Sequence, residues 1–293
     1  MARPSASVIV PFAGSQGQLR DVVSRLAGLR RGAWDELIVA DNRAEPDEPE
    51  ELGPVRWVRA GGVAAPGAAR NAGARAASGE WLVFVDADAE PDPGLLDAFL
   101  DPAPDAGVGV LAGAIEDAPG SDSLAARYVS ARAMMDHRST LVHAHAPYAQ
   151  TANCAVRREA FEAVRGFDES ARWGEDADLC WRLRDAGWSL EERVEARVAH
   201  RNRETLRTLM SQQAGHGAGA RWLNRAHPGS FPAPRPRELV GQARWCLRRW
   251  LAARRTGDRE AARFALVDLL ARTAFEAGRV RSNAPKALIQ TRS

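Results

Sequence analysis

Two carboxylates one residue apart, Asp86 and Asp88, stand at the end of the apolar run Trp81-Leu82-Val83-Phe84-Val85. Side chains alternate along a strand, so both acids leave the sheet on the same side, at the carboxyl end where open α/β sheets place their ligands. Two like charges that close repel each other, and a hard divalent cation carrying phosphate oxygens relieves the repulsion. The plainer alternative is an acidic turn, since Asp is a common turn residue and Pro91 and Pro93 follow at once. A second acidic group, Glu175, Asp176 and Asp178, opens a stretch that closes on Arg182 and Arg184, with Gly187 where a left-handed C-cap belongs. Acids first and arginines last complement a helix dipole, so good helix design alone accounts for that order.

The elements that must position these groups follow from hydrophobic pattern. Ser7-Val8-Ile9-Val10-Pro11-Phe12 is a short apolar strand, and Leu19, Val22, Val23, Leu26 and Leu29 recur after it at helical spacing. Leu37-Ile38-Val39-Ala40 is a second buried strand ending on Asp41-Asn42, and Val55 to Val58 a third. Pro66 to Ala77 reads as a helix of mostly Ala and Gly with proline at its start, able to pack very close to its neighbours. Arg70 and Asn71 interrupt that small-residue surface. The apolar run at Trp81, unbroken over five residues, has the look of a strand covered on both faces. Strand, helix and strand recur through Asp88, which predicts a doubly wound parallel sheet. No Gly-x-Gly-x-x-Gly follows the first strand and there is no Gly-Lys-Ser or Gly-Lys-Thr, which argues against a dinucleotide fold and a triphosphatase.

Further along, Leu95 to Leu100 and Ser123 to Met135 are expected helices, and Val108 to Ile115 a strand. Gln150 to Val156 and Val194 to His200 are expected strands, and Arg157 to Val164 and Thr205 to Leu223 helices. His137, His143 and His145 lie in a less patterned stretch with no further ligands in spacing, so a substrate-facing loop is expected there rather than a metal site. The acidic segment Glu45 to Glu51 reads as solvated.

At 293 residues the chain can bury a full core. Its three cysteines, Cys154, Cys180 and Cys246, lack metal-ligand spacing and indicate neither a disulfide framework nor a zinc site. No apolar run approaches the roughly 20 residues that span a bilayer, and a strand pattern begins by Ser7, so a cytoplasmic location is expected. Charge is unevenly placed. From Phe231 onward there are 14 basic and 5 acidic residues, against 26 and 33 before it, so a tail of net +9 follows a body of net −7. The segment Ala226 to Pro236 is a linker by composition, and two arginine-laced helices follow. They are expected to pack as a helical hairpin on the body; the alternative is a basic face for anionic lipid at the inner side of a membrane.

Taken together, these pieces resemble family 2 glycosyltransferases of the GT-A fold, inverting enzymes that use nucleotide-diphosphate sugars. The likeness runs from Ser7 to about Leu223. It rests on Val8-Ile9-Val10-Pro11, Val39-Ala40-Asp41-Asn42, Pro66-Gly67-Ala68-Ala69-Arg70-Asn71-Ala72-Gly73, Asp86-Ala87-Asp88, and Gly166-Phe167-Asp168-Glu169 followed by Gly174-Glu175-Asp176. The resemblance implies a Rossmann-like, mostly parallel sheet flanked by helices over residues 1–225, a linker over 226–236 and a basic helical appendage over 237–293. It implies that Pro11, Phe12 and Asp41 line the base pocket, that Arg70 lies toward ribose or diphosphate, and that Asp86 faces ribose or metal. Asp88 would bind Mg²⁺ or Mn²⁺, with His200 as a third metal or diphosphate contact. Asp176 falls on the family's catalytic base and Glu175 beside it.

The implied partners are a nucleotide-diphosphate sugar, with a UDP-sugar favoured, and an acceptor hydroxyl on a saccharide, lipid-linked or small molecule; no nucleic acid partner is implied. An aspartate at a helix start is expected to be a poor base, because the dipole favours its charged form, so positioning would carry much of the catalysis. Two other readings compete. A sugar nucleotidyltransferase would carry a glycine- and lysine-rich loop after the first strand, where this chain has Ala13-Gly14-Ser15. A non-catalytic nucleotide-sugar-binding protein would release no diphosphate nucleotide.

Overall fold

The computed structural model describes residues 3–45, 52–118 and 121–288. Most of the acidic segment read as solvated lies outside them. The chain divides into two compact units, residues 1–119, 135–201 and 284–293 in the first and residues 120–134 and 202–283 in the second. Those bounds do not follow the proline-rich segment.

The first unit is built on an eight-stranded sheet in the order β3-β2-β1-β5-β8-β7-β9-β6. Its members are β1 (Ala6–Phe12), β2 (Glu36–Asp41), β3 (Val55–Arg59), β5 (Trp81–Val85), β6 (Ala89–Pro91), β7 (Val108–Asp117), β8 (Asn153–Arg157) and β9 (Ser189–His200). A separate pair joins β4 (Val63–Ala64) to β10 (Lys286–Ala287). Strands β3, β2, β1 and β5 run parallel, β8 lies antiparallel to both β5 and β7, and β7 and β9 are parallel. This is the α/β architecture expected of the GT-A fold, and two strands make the sheet mixed, β8 between β5 and β7 and β6 at the edge beside β9.

Strand β5 shows why the five apolar residues had to be a strand. Trp81, Val83 and Val85 enter one core cluster and Leu82 and Phe84 the opposite one, so alternation fills both faces and leaves no polar position. Burial of each large side chain stabilises by roughly 1.5–3 kcal/mol. On the first face, α1 (Gln16–Ala27) contributes Leu19, Val22 and Leu26, and α3 (Leu95–Leu100) contributes Leu95 and Phe99. On the second lie α2 (Pro66–Ala76), α6 (Arg158–Ala163) and α7 (Glu175–Asp185). Helix α2 is tight against β1: a Cβ on Gly73 would stand 2.4 Å from Ile9 Cγ2. The short α5 (Arg138–Leu141) completes the unit's helices.

The second unit contains α4 (Leu124–Ala131), α8 (Leu206–Ala226), α9 (Pro236–Thr256) and α10 (Arg259–Gly278). Helices α8 and α10 cross at glycines: a Cβ on Gly217 would collide with the Phe275 carbonyl, and one on Gly278 with that of Ala214. A buried carboxylate, Asp268, accepts from Tyr128 Oη at 2.9 Å and from Arg132 at 2.7 Å, tying α10 to α4. The hairpin expected beyond the linker is therefore present as α9 and α10. Trp245 and six leucines of this hairpin are exposed, as set out below. Among the described residues no helix is long and apolar enough to cross a membrane.

Candidate active site

The chain leaves β1 for β2 and β3 on one side and returns through β5 on the other, so the topological switch point lies between the carboxyl ends of β1 and β5. Ligands of open α/β sheets bind at such a point. Phe12 ends β1 there, Asp41 ends β2, and Asp86 follows β5 directly.

Asp86, Asp88 and His200 offer ligand atoms that all lie within 4.8 Å of one another. Strand pairing brings them together across more than a hundred residues of sequence, because Ala89 in β6 registers with His200 at the end of β9. His200 Nε2 stands 3.1 Å from Asp88 Oδ1. Two hard carboxylates and an imidazole suit Mn²⁺, and the carboxylates alone suit Mg²⁺. The donor set therefore fits a divalent cation. Among the described residues it is the only such group, and the three histidines of the 137–145 stretch do not form one. His137 is buried and its Nε2 lies 2.9 Å from Glu192, while His143 and His145 pack on Trp181 at 5.6 and 4.7 Å between ring centres.

Arg70 is the buried centre of the site. From α2 its Nη2 donates to Asp86 at 2.7 Å and its Nη1 to Glu175 at 2.9 Å, joining the end of β5 to the start of α7. Burial opposes its charge, but Asp86 and Glu175 more than offset this and hold the guanidinium above its ordinary pKa. The structure thus sets Arg70 between two carboxylates. Its neighbour Asn71 clamps the segment that precedes α7, accepting from Phe167 N–H at 2.9 Å and donating to the Phe167 carbonyl and to Glu169, each at 2.9 Å. Gly166 makes that turn with φ of 68°, and a Cβ there would also strike Asn71 Oδ1.

Helix α7 begins after Gly174, whose φ of 87° places it in the left-handed region and leaves no side chain to cap the helix. The first turn caps itself, with Asp176 Oδ1 accepting from Ala177 N–H at 2.8 Å. Burial pushes the Glu175 carboxyl up to about 7, opposed by Arg70 and aided by Asp176. Asp176 is also raised, by burial first and with Asp86 adding to it, against the pull of the Ala177 amide and Arg70. The dipole argument from sequence favours a charged, weakly basic carboxylate, and desolvation acts against it here.

Asp41 sits in a second cluster on the same edge. It is fully buried, with Arg43 Nη2 at 2.6 Å and Trp57 Nε1 at 3.1 Å, and the Arg43 guanidinium lies 5.5 Å from the Phe12 ring centre. Pro11 is half-buried beside it. The residues expected around a base thus gather at the ends of β1 and β2, next to the acids at the end of β5.

Arg43 beside Asp41 escaped the sequence reading, and so did a second arginine. Arg25 of α1 reaches across to donate to the carbonyls of Ala87, at 2.8 Å, and Ala89, at 2.5 Å, holding the main chain on either side of Asp88. Its signal was an arginine within one turn of Val22 and Leu26 on the buried face of α1.

The sequence model of "Glycosyl transferase family 2" matches residues 7–165, more than half of the chain. The chain belongs to this family. A "Pre-mycofactocin glycosyltransferase" from Mycobacterium tuberculosis is 31% identical over 230 residues, covering 76% of this chain and 48% of the relative. The "O-antigen biosynthesis protein RfbC" of Myxococcus xanthus is 28% identical over 247 residues, covering 76% of this chain and 19% of that protein. The chain thus spans about half the length of the mycobacterial relative and less of the other. Two solved structures share the fold. One is the mannosyltransferase PcManGT of Pyrobaculum calidifontis in complex with GDP-Man and Mn²⁺, with TM-score 0.57 and 18% identity, covering 93% of this chain and 76% of that one. The other is glucosyl-3-phosphoglycerate synthase of Mycobacterium tuberculosis in complex with Mn²⁺, UDP-glucose and phosphoglyceric acid, with TM-score 0.55 and 21% identity, covering 76% and 79%.

Proposed function

We propose that this family 2 chain moves a sugar, with inversion at the anomeric carbon, from a nucleotide-diphosphate sugar to an acceptor hydroxyl with the help of Mg²⁺ or Mn²⁺. The observation that carries the reading is the Asp86, Asp88 and His200 cluster at the switch point, joined through buried Arg70 to the start of α7. Those three residues would hold the cation, which when bound supplies charge stabilisation to the departing diphosphate. Pro11, Phe12 and Asp41 would line the base pocket, with Arg43 beside Asp41. Asp176 would take the proton of the attacking hydroxyl, and the raised pKa of its half-buried carboxyl suits a base better than an exposed helix-start aspartate would. Arg70 would hold Asp86 and Glu175 in register between the donor and acceptor sides.

We favour UDP as the nucleotide; the fold relatives solved with UDP-glucose and with GDP-Man support a nucleotide-diphosphate sugar as donor. A saccharide, a lipid-linked sugar or a small molecule would supply the acceptor hydroxyl. The test is a thermal-shift panel of UDP, GDP, TDP and CDP with and without Mn²⁺. One or two diphosphates are expected to stabilise the chain by about 2.7 kcal/mol at a hundredfold excess over Kd, only with metal present. Asp88→Asn, nearly isosteric, is expected to lose the metal-dependent part and keep the fold. A chain that responds to no nucleotide, or a variant that binds Mn²⁺ unchanged, would overturn the reading.

A further inference from the structure

Helix α9 carries an apolar stripe on the side turned away from its own packing. Among its residues only Cys246 and Ala253 are fully buried, and they mark its inner side. At about 100° per residue, Val240, Leu247 and Leu251 fall within an arc of about 40° on the other side. They are 52%, 54% and 39% exposed. Arg237, Arg244, Arg248 and Arg255 border this stripe along one flank and Arg254 along the other, all exposed. The only acid on α9, Glu238, is engaged at the helix start, accepting from Arg235 N–H at 3.0 Å. On α10 the exposed Leu266, Leu269 and Leu270 add a second open apolar surface beside Arg263. Eight of the twelve exposed large hydrophobics among the described residues belong to this hairpin, which marks it as an interaction surface rather than ordinary scatter.

We infer that the outer face of α9 docks on an anionic lipid bilayer. Charge complementarity selects this occupant. A second copy meeting the same face would set each bordering row of arginines against its counterpart, and like charges brought together across an interface cost several kcal/mol. A polyanion alone would satisfy the arginines and leave three aliphatic side chains in water. A bilayer surface takes both: the aliphatics enter the acyl boundary while the guanidiniums reach phosphates with their stems laid along apolar surface.

The full chain is to be cosedimented with vesicles of phosphatidylglycerol in phosphatidylcholine and with vesicles of phosphatidylcholine alone. Binding is expected only to the anionic vesicles, falling steeply with salt. Arg244→Gln, Arg248→Gln and Arg255→Gln together are expected to weaken it about a hundredfold, from about fivefold per surface arginine. Val240→Ser, Leu247→Ser and Leu251→Ser, which leave the charge unchanged, are expected to weaken it at least about tenfold. Hydrogen exchange on the unaltered chain provides a readout independent of any variant's folding, with vesicle-induced protection expected on α9. Equal binding to neutral vesicles, no binding to either, or protection elsewhere would overturn the inference. So would a serine variant that binds as well as the original, or a concentration-dependent dimer that the serine substitutions abolish.

Discussion

The region around α2, β5 and α7 and the hairpin of α9 and α10 are both rich in arginine, yet they use it in opposite ways. Arg70 is 3% exposed and makes two ion pairs between elements far apart in sequence, and Asn71 beside it saturates its amide on the segment before α7. On α9, Arg237, Arg244, Arg248 and Arg255 stand in solvent beside aliphatic side chains that are equally open. The first region has buried Arg70 and Glu175 and matched them with each other and with half-buried Asp86. The second has hidden little and kept charge and apolar surface available. A low-dielectric interior makes each matched charge costly to disturb, while a solvated arginine is nearly free to change. Position in the fold, not residue type, separates a group that organises a site from one that meets a partner.

The largest expected effect comes from removing the buried cation. Arg70→Met should cost about 3–5 kcal/mol, because buried Glu175 and half-buried Asp86 are left without their shared partner. Denaturant unfolding measures this, and Arg248→Gln on α9 serves as the contrast, with a change within about 0.5 kcal/mol. Equal losses at the two positions would erase the distinction between the regions.

Asp176→Asn probes chemistry rather than stability. An Asn oxygen can still accept from Ala177 N–H, so the start of α7 should persist. Metal and diphosphate affinity should remain while sugar transfer falls at least about a hundredfold. Near-normal transfer by the variant would move the base to Glu175 or Asp178.

A smaller effect is expected in the pH dependence of stability. The folded Glu175 carboxyl is raised from an ordinary 4.5 to about 7, chiefly by burial. Between those values the folded chain holds a proton that the unfolded chain has lost, so stability should fall as pH rises through the window. The slope amounts to on the order of 1–3 kcal/mol across it. Thermal midpoints of the original chain and of Glu175→Gln, measured from pH 4.5 to 7, check this: the variant's profile should be flatter. An unchanged profile would place the titrating group elsewhere.

Much of this protein was legible in its sequence because local pattern and local chemistry coincide. The unbroken apolar run of β5, the proline at the start of α2 and the small residues along it fixed those elements before any tertiary contact was known. The acids after β5 and at the start of α7 were visible as candidates because carboxylates in those places need a reason. Boundaries were less secure where a strand's outer half is polar: β9 begins at Ser189, five residues before its apolar part, because pairing with β7 continues through Glu191, Glu192 and Arg193.

What tertiary structure alone decided is who meets whom. His200 stands beside Asp88 because β6 and β9 pair, and Arg25 holds the loop around Asp88 because α1 packs beside β6. The elevated Glu175 and Asp176 carboxyls follow from burial, which a helix-dipole argument made from the chain cannot register. The open stripe on α9 has the same origin. Its hydrophobic spacing is helical in either case, and only packing determined that Cys246 and Ala253 turn inward while Val240, Leu247 and Leu251 face out. Periodicity records that a face exists; the free energy of contact between elements distant in sequence selects which face is covered.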